Sequence, residues 1–265
     1  MLEALIFDVD GTVAETEGLH RRAFNLAFER HGVAVRWSEK EYRRLLRVHG
    51  GKERIARSLG EHEEPRPMAE IAAIHATKTR IYDELLRSEG VPWRPGVQRL
   101  MSEARRIGLR LALATTTSEA NLDPLFEPVL GPDWRARFDA VVAGDAVARK
   151  KPAPDAYLAA LERLALAPRE ALAFEDSRAG VEAACAAGLP VVAAPSRWLA
   201  GDDLSMADLV VEHFGDAGVL WDERHPALAR RWLSARELVA WHERRFAGAS
   251  DHPRESRRFR CPPAA

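Results

Sequence analysis

Short apolar runs, each ended by polar or turn-forming residues, recur from the N-terminus onward. Ala4-Leu5-Ile6-Phe7 is the first; Leu109–Thr115, Asp139–Ala143, Ala171–Asp176, Pro190–Ala194 and Asp208–Val211 follow. Runs this short and this continuously apolar predict buried strands. Between them, apolar residues recur at helical spacing over about 96–107, 118–128, 154–165 and 177–187. Strands alternating with helices predict an α/β protein, a parallel sheet covered on both faces with right-handed crossovers.

The first interval breaks this rhythm. About a hundred residues separate the first run from Leu109, and most carry helical patterning. Leu19, Ala23, Leu26 and Ala27 form one apolar stripe. Glu39 to Leu46 and Ile55 to Leu59 predict short helices, and Met68 to Leu86 a longer one. Val91-Pro92-Trp93-Arg94-Pro95-Gly96 punctuates the chain before the alternation resumes. The expected organisation is a core domain from residues 1–15 and 92–218, interrupted by a helical cap over 16–91. The extension over 219–265 is expected to be part helical and part disordered. Its helical part is an amphipathic segment from Pro226 to Phe246 with Leu233, Leu238, Val239 and Trp241. Its disordered part is the Arg-, Pro- and Ser-rich stretch Ala247 to Ala265.

Composition narrows the class of partner. A 46% hydrophobic and 30% charged make-up fits a globular protein with a sizeable core. A formal net charge of −1 argues against a general nucleic-acid or anionic-membrane binder. No apolar stretch approaches the ~20 residues of a membrane span. Cys185 and Cys261 are too few and too distant for a metal box or a disulfide framework. The chain enters its first strand directly after Met1-Leu2-Glu3, so no signal peptide is expected, and two distant cysteines make a reducing cytoplasm the expected compartment. A monomer without membrane contact is expected. Arg254, Arg257, Arg258 and Arg260 read as a solvated tail.

Several predicted strand ends carry reactive side chains, and in an open parallel sheet ligands bind at those ends. Asp8 and Asp10, followed by Gly11-Thr12, turn two carboxylates to one side as the chain leaves the sheet. Acids this close repel, and a fold that keeps them supplies a cation or a shared proton. The pair suits phosphate-ester chemistry: one carboxylate attacks, the other moves protons, and a metal offsets the charge. Asp-x-Asp-Gly also occurs in calcium loops, but an EF-hand needs flanking helices and a later Glu. Thr115-Thr116-Thr117-Ser118 ends the second run, as an anion site or with Ser118 simply capping the next helix. Lys150-Lys151-Pro152 follows the third, as a phosphate-binding ammonium or an exposed basic loop. Glu175-Asp176-Ser177 ends the fourth, as hard oxygen ligands for a metal or as a helix cap.

Taken in order, Asp-x-Asp-Gly-Thr, a Thr after the second strand, Lys-Pro and Glu-Asp resemble the haloacid dehalogenase superfamily of phosphohydrolases. The resemblance spans about 1–218 and implies a Rossmann-like parallel core with an inserted α-helical cap. Three further stretches resemble the CbbY-type sugar phosphatases, which are close to β-phosphoglucomutase. They are Glu15 to His20 (Glu-Thr-Glu-x-x-His), Arg22-Ala23-Phe24-Asn25 and His49-Gly50-Gly51-Lys52-Glu53-Arg54.

The resemblance implies that Asp8 is the nucleophile, forming an aspartyl-phosphate, and that Asp10 is the general acid and base. It implies Mg²⁺ on the Asp8 carboxylate, the Asp10 main-chain carbonyl and Asp176, with Glu175 close by. Thr115, the Thr116 N–H and Lys151 would hold the transferring phosphoryl group. In the cap it assigns His20 to the site and Lys52 and Arg54, near Gly50 and Gly51, to a second phosphate. Glu17 and Tyr42 become sugar-hydroxyl contacts. A surface histidine and ordinary packing are the alternatives for His20 and Tyr42. The implied partner is a small phosphosugar substrate. The resemblance points to xylulose-1,5-bisphosphate, a misfire product that inhibits Rubisco in the Calvin cycle. A phosphomutase shares the same core residues. A dehalogenase would lack the second acidic position, and a non-catalytic binding module would not need the full set.

Overall fold

The structure is a computed structural model and describes residues 1–48, 50–62, 65–215 and 233–246. The six expected strands form one parallel sheet. They are β1 (Ala4–Phe7), β2 (Arg110–Ala114), β3 (Ala140–Val142), β4 (Ala171–Glu175), β5 (Val191–Ala193) and β6 (Leu209–Val210), in the order β3-β2-β1-β4-β5-β6. The order reverses between β1 and β4, which opens a crevice at the carboxyl ends of these neighbours. Phe7 pairs with both Leu113 and Phe174, so the next residues, Asp8, Ala114 and Glu175, lie at one level at the carboxyl edge of the sheet.

Alternation along the strands sorts two cores of different calibre. Leu5, Phe7, Leu111, Leu113, Leu172 and Phe174 share a core with α5 (Val97–Arg106) and α6 (Leu122–Leu130). Each fully buried side chain of this size contributes about 1.5–3 kcal/mol. Ala4, Ile6, Ala112, Ala114, Ala171 and Ala173 share the other with α7 (Asp155–Leu164) and α8 (Arg178–Ala186). Small side chains there let both helices lie close to the sheet.

The large-residue core continues into the cap, built from α1 (Glu17–Arg30), α2 (Glu39–Leu45), α3 (Gly51–His62) and α4 (Met68–Glu89) between β1 and α5. Phe24, Phe28, Trp37 and Tyr42 pack ring on ring, and the Trp37 indole donates to Ser58 Oγ at 2.6 Å. The buried stripe of α1 is Ala23, Phe24, Ala27 and Phe28. Leu26, expected on that stripe, is exposed, because those four positions turn it to the far side of the helix. α3 also runs well beyond the expected Ile55 to Leu59.

Two chain crossings join cap and sheet. Ala14 bridges Trp93, and the Arg94 N–H donates to Val13 O at 2.7 Å. The buried Arg94 guanidinium donates to the carbonyls of Gly11 (2.5 Å), Ala194 (2.6 Å) and Pro195 (3.0 Å) and pairs with Glu15 at 3.3 Å.

A last helix, α9 (Ala235–Phe246), begins at a capping box. Ser234 Oγ accepts from the Glu237 N–H, and Glu237 Oε2 accepts from the Ser234 N–H. Leu233 and Leu238 are both buried, but Leu233, expected inside the helix, lies ahead of it because the Ser234 cap sets the start at Ala235. Residues 226–232 of the expected helix, the tail Ala247 to Ala265 with its arginines and Cys261, and His49 lie outside the described residues. No helix among the described residues is long and apolar enough to cross a membrane.

Candidate active site

Asp8, Lys151, Glu175 and Asp176 meet at the crevice. Lys151 Nζ lies 2.6 Å from Asp8 Oδ1 and 2.6 Å from Glu175 Oε1, and it donates to Ala114 O at 2.8 Å. Ligand oxygens of Asp8, Glu175 and Asp176 all lie within 4.8 Å of one another, and all three residues are buried. Ser177 Oγ caps α8 by accepting from the Gly180 N–H at 3.1 Å, which releases Asp176 from that duty. A Cβ built on Gly11 would overlap the Asp176 carboxylate, and its φ of +81° already favours glycine, so this turn brings backbone against acid.

Burial raises the Asp8 carboxyl to about 7, with Lys151 opposing and Glu175 reinforcing the rise. Burial, then the Asp8 and Glu175 charges, push Asp176 well above the usual carboxylate range. Burial lowers Lys151, but the two acids outweigh it and the ammonium is held charged. One ammonium, paired with Asp8 and Glu175, does not offset three buried acids, so without a further cation the cluster resists full ionisation. Hard oxygens at this spacing are the donor set that a small divalent cation takes, so these residues fit one.

The Asp10 carboxylate takes its hydrogen bonds from outside this trio. Thr16 Oγ1 donates to its Oδ1 at 2.6 Å, Thr117 Oγ1 donates to its Oδ2, and His20 Nε2 lies 3.8 Å away. Burial raises the Asp10 carboxyl, but His20, Thr16 and Lys78 together bring it below its ordinary value. Behind His20 stands Lys78, with Nζ 2.9 Å from His20 Nδ1. Burial, then Lys78, lower the imidazole, which keeps His20 neutral. A charged Lys78 donates to Nδ1, which leaves the remaining ring proton on Nε2, the atom nearest Asp10. Tyr82 stacks on the same ring at 3.9 Å.

Thr115 is fully buried and its Oγ1 accepts from the Thr117 N–H at 3.1 Å. Thr116 lies beside it at intermediate exposure. Ser118 precedes the next helix without a side-chain cap bond, and the Glu119 N–H is instead taken by Asp145 Oδ2 at 3.3 Å. The capping alternative for Ser118 therefore does not hold.

In the cap, the Tyr42 hydroxyl donates to Glu17 Oε2 at 2.6 Å. Arg54 spends its fork on Leu45 O, Val48 O and the Tyr42 hydroxyl (3.1 to 3.4 Å). Lys52 is exposed at the start of α3 beside Gly50 and Gly51. His75 Nε2 crowds Gly51, where any Cβ would overlap the ring.

Sequence reading passed over Lys78 and Tyr157, gave Thr117 only as part of a threonine cluster and not as a partner of Asp10, and gave Arg94 only as part of a linker. Lys78 had a readable signal: it is the lone charge on the buried face of α4, among Ile71, Ile74, Ile81 and Tyr82. Tyr157, whose hydroxyl donates to Glu175 Oε1 at 2.5 Å, gave none, since an aromatic on an apolar helix face reads as core.

A model of the haloacid dehalogenase-like hydrolase family matches residues 2–188. The CbbY protein of Cupriavidus necator is 48% identical over 91% of this chain and 97% of its own length. The crystal structure of CbbY from Rhodobacter sphaeroides in complex with phosphate aligns with a TM-score of 0.74 and 46% identity, over 82% of this chain and 97% of that one. A mutant of that protein in complex with xylulose-(1,5)bisphosphate aligns with a TM-score of 0.74 and 45% identity, over the same shares.

Proposed function

The chain belongs to the haloacid dehalogenase-like hydrolases, alongside the CbbY proteins, and on that footing we propose that it is a Mg²⁺-dependent phosphatase of xylulose-1,5-bisphosphate working through an aspartyl-phosphate. The observation that carries the chemistry is the meeting of Lys151 with Asp8 and Glu175 at 2.6 Å each, beside Asp176. What supports the substrate is the xylulose-(1,5)bisphosphate complex of a relative 45% identical over 82% of this chain.

In this reading an Asp8 carboxylate oxygen bonds to phosphorus as the bond to the sugar oxygen breaks. Asp10 gives its proton to that departing oxygen. It then takes one from the water that cleaves the aspartyl-phosphate, returning Asp8 and releasing phosphate. Asp10 is held low in the free protein, which suits the second role. The negative charge of an arriving substrate raises it toward the first. Lys151, Thr115 and the Thr116 N–H hold the phosphoryl oxygens, so catalysis is positioning plus charge stabilisation. Asp8, Asp176 and the Asp10 carbonyl, with Glu175 close behind, would hold Mg²⁺, which would supply Lewis-acid neutralisation of the phosphoryl charge when bound.

The cap reads the sugar. Glu17 faces its hydroxyls, held in place by the buried Tyr42 hydroxyl, and His20, steadied by Lys78, brings the cap onto Asp10. Lys52 meets the second phosphate at the N-terminus of α3, while Arg54 fixes the turn between α2 and α3 that presents Gly50 and Gly51.

Phosphate release is to be measured with and without Mg²⁺ over sugar mono- and bisphosphates, xylulose-1,5-bisphosphate included, for the wild type and Asp8→Asn. The expected result is Mg²⁺-dependent release that prefers the bisphosphate and vanishes in the variant. Full activity in Asp8→Asn overturns the nucleophile assignment. Isomer formation from β-glucose 1-phosphate without phosphate release replaces the phosphatase with a mutase.

A further inference from the structure

Trp198 sits on the loop after β5, in the sheet half of the molecule, yet its neighbours belong to the cap. Its side chain is only 3% exposed. The Tyr42 ring meets it edge to face at 5.7 Å, and the Arg43 guanidinium lies 5.5 Å from its centroid, both from α2. Gly18, in the first turn of α1, faces its Cζ2 so closely that a Cβ there would stand 3.6 Å away. Arg197, next to it on the loop, lies 5.3 Å from the same ring.

The loop beneath is anchored. The Trp198 N–H donates to Ser196 Oγ at 3.2 Å, and Ser196 Oγ donates to Glu15 Oε2 at 3.0 Å, on the first crossing into the cap. Glu15 in turn pairs with Arg94 on the return crossing. Trp198 is thus a fixed peg on the sheet side, and α1 and α2 rest against it. Tyr42 is fully buried and holds Glu17 at 2.6 Å, while His20 follows one turn later and faces Asp10. Seating Tyr42 and Gly18 on Trp198 therefore sets where the sugar-reading end of α1 comes to rest over the phosphoryl site.

We infer that Trp198 is a positioning residue for the cap, a latch that holds the first turn of α1 over the site and so governs capture of cap-recognised substrates. The kinetic part of this inference rests on the phosphatase reading. A buried aromatic pair with a cation on the same ring shifts a closed-to-open balance by about tenfold, and the apparent affinity falls with the closed fraction.

Two readouts test it, on Trp198→Ala, Trp198→Phe and Arg43→Gln of the full chain. The first is amide hydrogen exchange without substrate. Trp198→Ala should speed exchange about tenfold in residues 17–45 while β1 and β4 keep their protection. Arg43→Gln, at an exposed side chain, should give a smaller change in the same segments. The second is kinetics on xylulose-1,5-bisphosphate and on p-nitrophenyl phosphate, an ester with no sugar for the cap to read. Trp198→Ala should raise KM for the bisphosphate about tenfold at nearly unchanged kcat, leave p-nitrophenyl phosphate untouched, and be largely rescued by Trp198→Phe. Unchanged exchange in 17–45, or equal losses on both esters, overturns the latch. A wild type that hydrolyses neither ester overturns the phosphatase reading instead, and exchange alone then decides the latch.

Discussion

The Lys151 ammonium lies 2.6 Å from Asp8 Oδ1, on the carboxylate proposed to attack phosphorus. The same nitrogen serves Glu175, so one cation holds two acids that would otherwise repel. Replacing it with an uncharged chain of similar length removes a phosphoryl contact and unbalances the trio. Lys151→Met should lower kcat by about 10²–10³. In metal-free protein it should also cost about 3–5 kcal/mol of stability, since breaking a buried ion pair strands charge. Steady-state kinetics and denaturant unfolding in EDTA measure the two effects separately.

Gly180 lies in α8, where glycine to alanine ordinarily stabilises a helix by about 0.5–1 kcal/mol. Here the sign reverses. A Cβ at Gly180 would overlap the Glu175 carboxylate, which is fully buried and pinned by Lys151 and Tyr157. Gly180→Ala should lower both Tm and kcat, and an unchanged Tm with full activity would contradict the packing described.

Lys78 gives a pH signature. Burial lowers its ammonium to about 8, with Glu17 opposing and Arg54 reinforcing the shift. Below that pH it is charged and donates to His20; as pH rises through about 8 the contact loses its charge. The expected result is an alkaline fall in kcat/KM for the sugar phosphate near pH 8, removed by Lys78→Arg. Stability moves oppositely. The folded pKa lies below the unfolded one, so the unfolded chain binds more protons between about 8 and 10.5. The cost of burying the charge, fully present below 8, is relieved as pH climbs through that window.

Metal removal should abolish turnover. Mg²⁺ should also raise Tm in a concentration-dependent way, by the equivalent of about 2.7 kcal/mol at a hundredfold excess over Kd. Asp176→Asn should flatten that dependence. A Tm indifferent to Mg²⁺ in the wild type would count against the acidic trio as its site.

The sheet and its reactive tips were legible because each is a local pattern: an apolar run, then a polar residue where the run stops. Asp8, Lys151, Glu175 and Asp176 come together because parallel strands end on one edge, a rule that needs no knowledge of side-chain contacts. The hydroxyls that hold Asp10 were harder to see. Thr117 is 107 residues from Asp10 in sequence and reaches it only once β2 lies beside β1. Leu26 was misplaced for the opposite reason: the stripe was drawn through aliphatics, while α1 turns inward the two phenylalanines that pack on Trp37.

Arg94 collects carbonyls from the ends of β1, β5 and β6, reaching Glu212 as well at 3.4 Å, through a single side chain 6% exposed. Three loops that could otherwise fray one at a time are thereby made to melt together. The pivot of the cap and the rim that bears the acids share one fastener, and heat should loosen recognition and chemistry in the same transition.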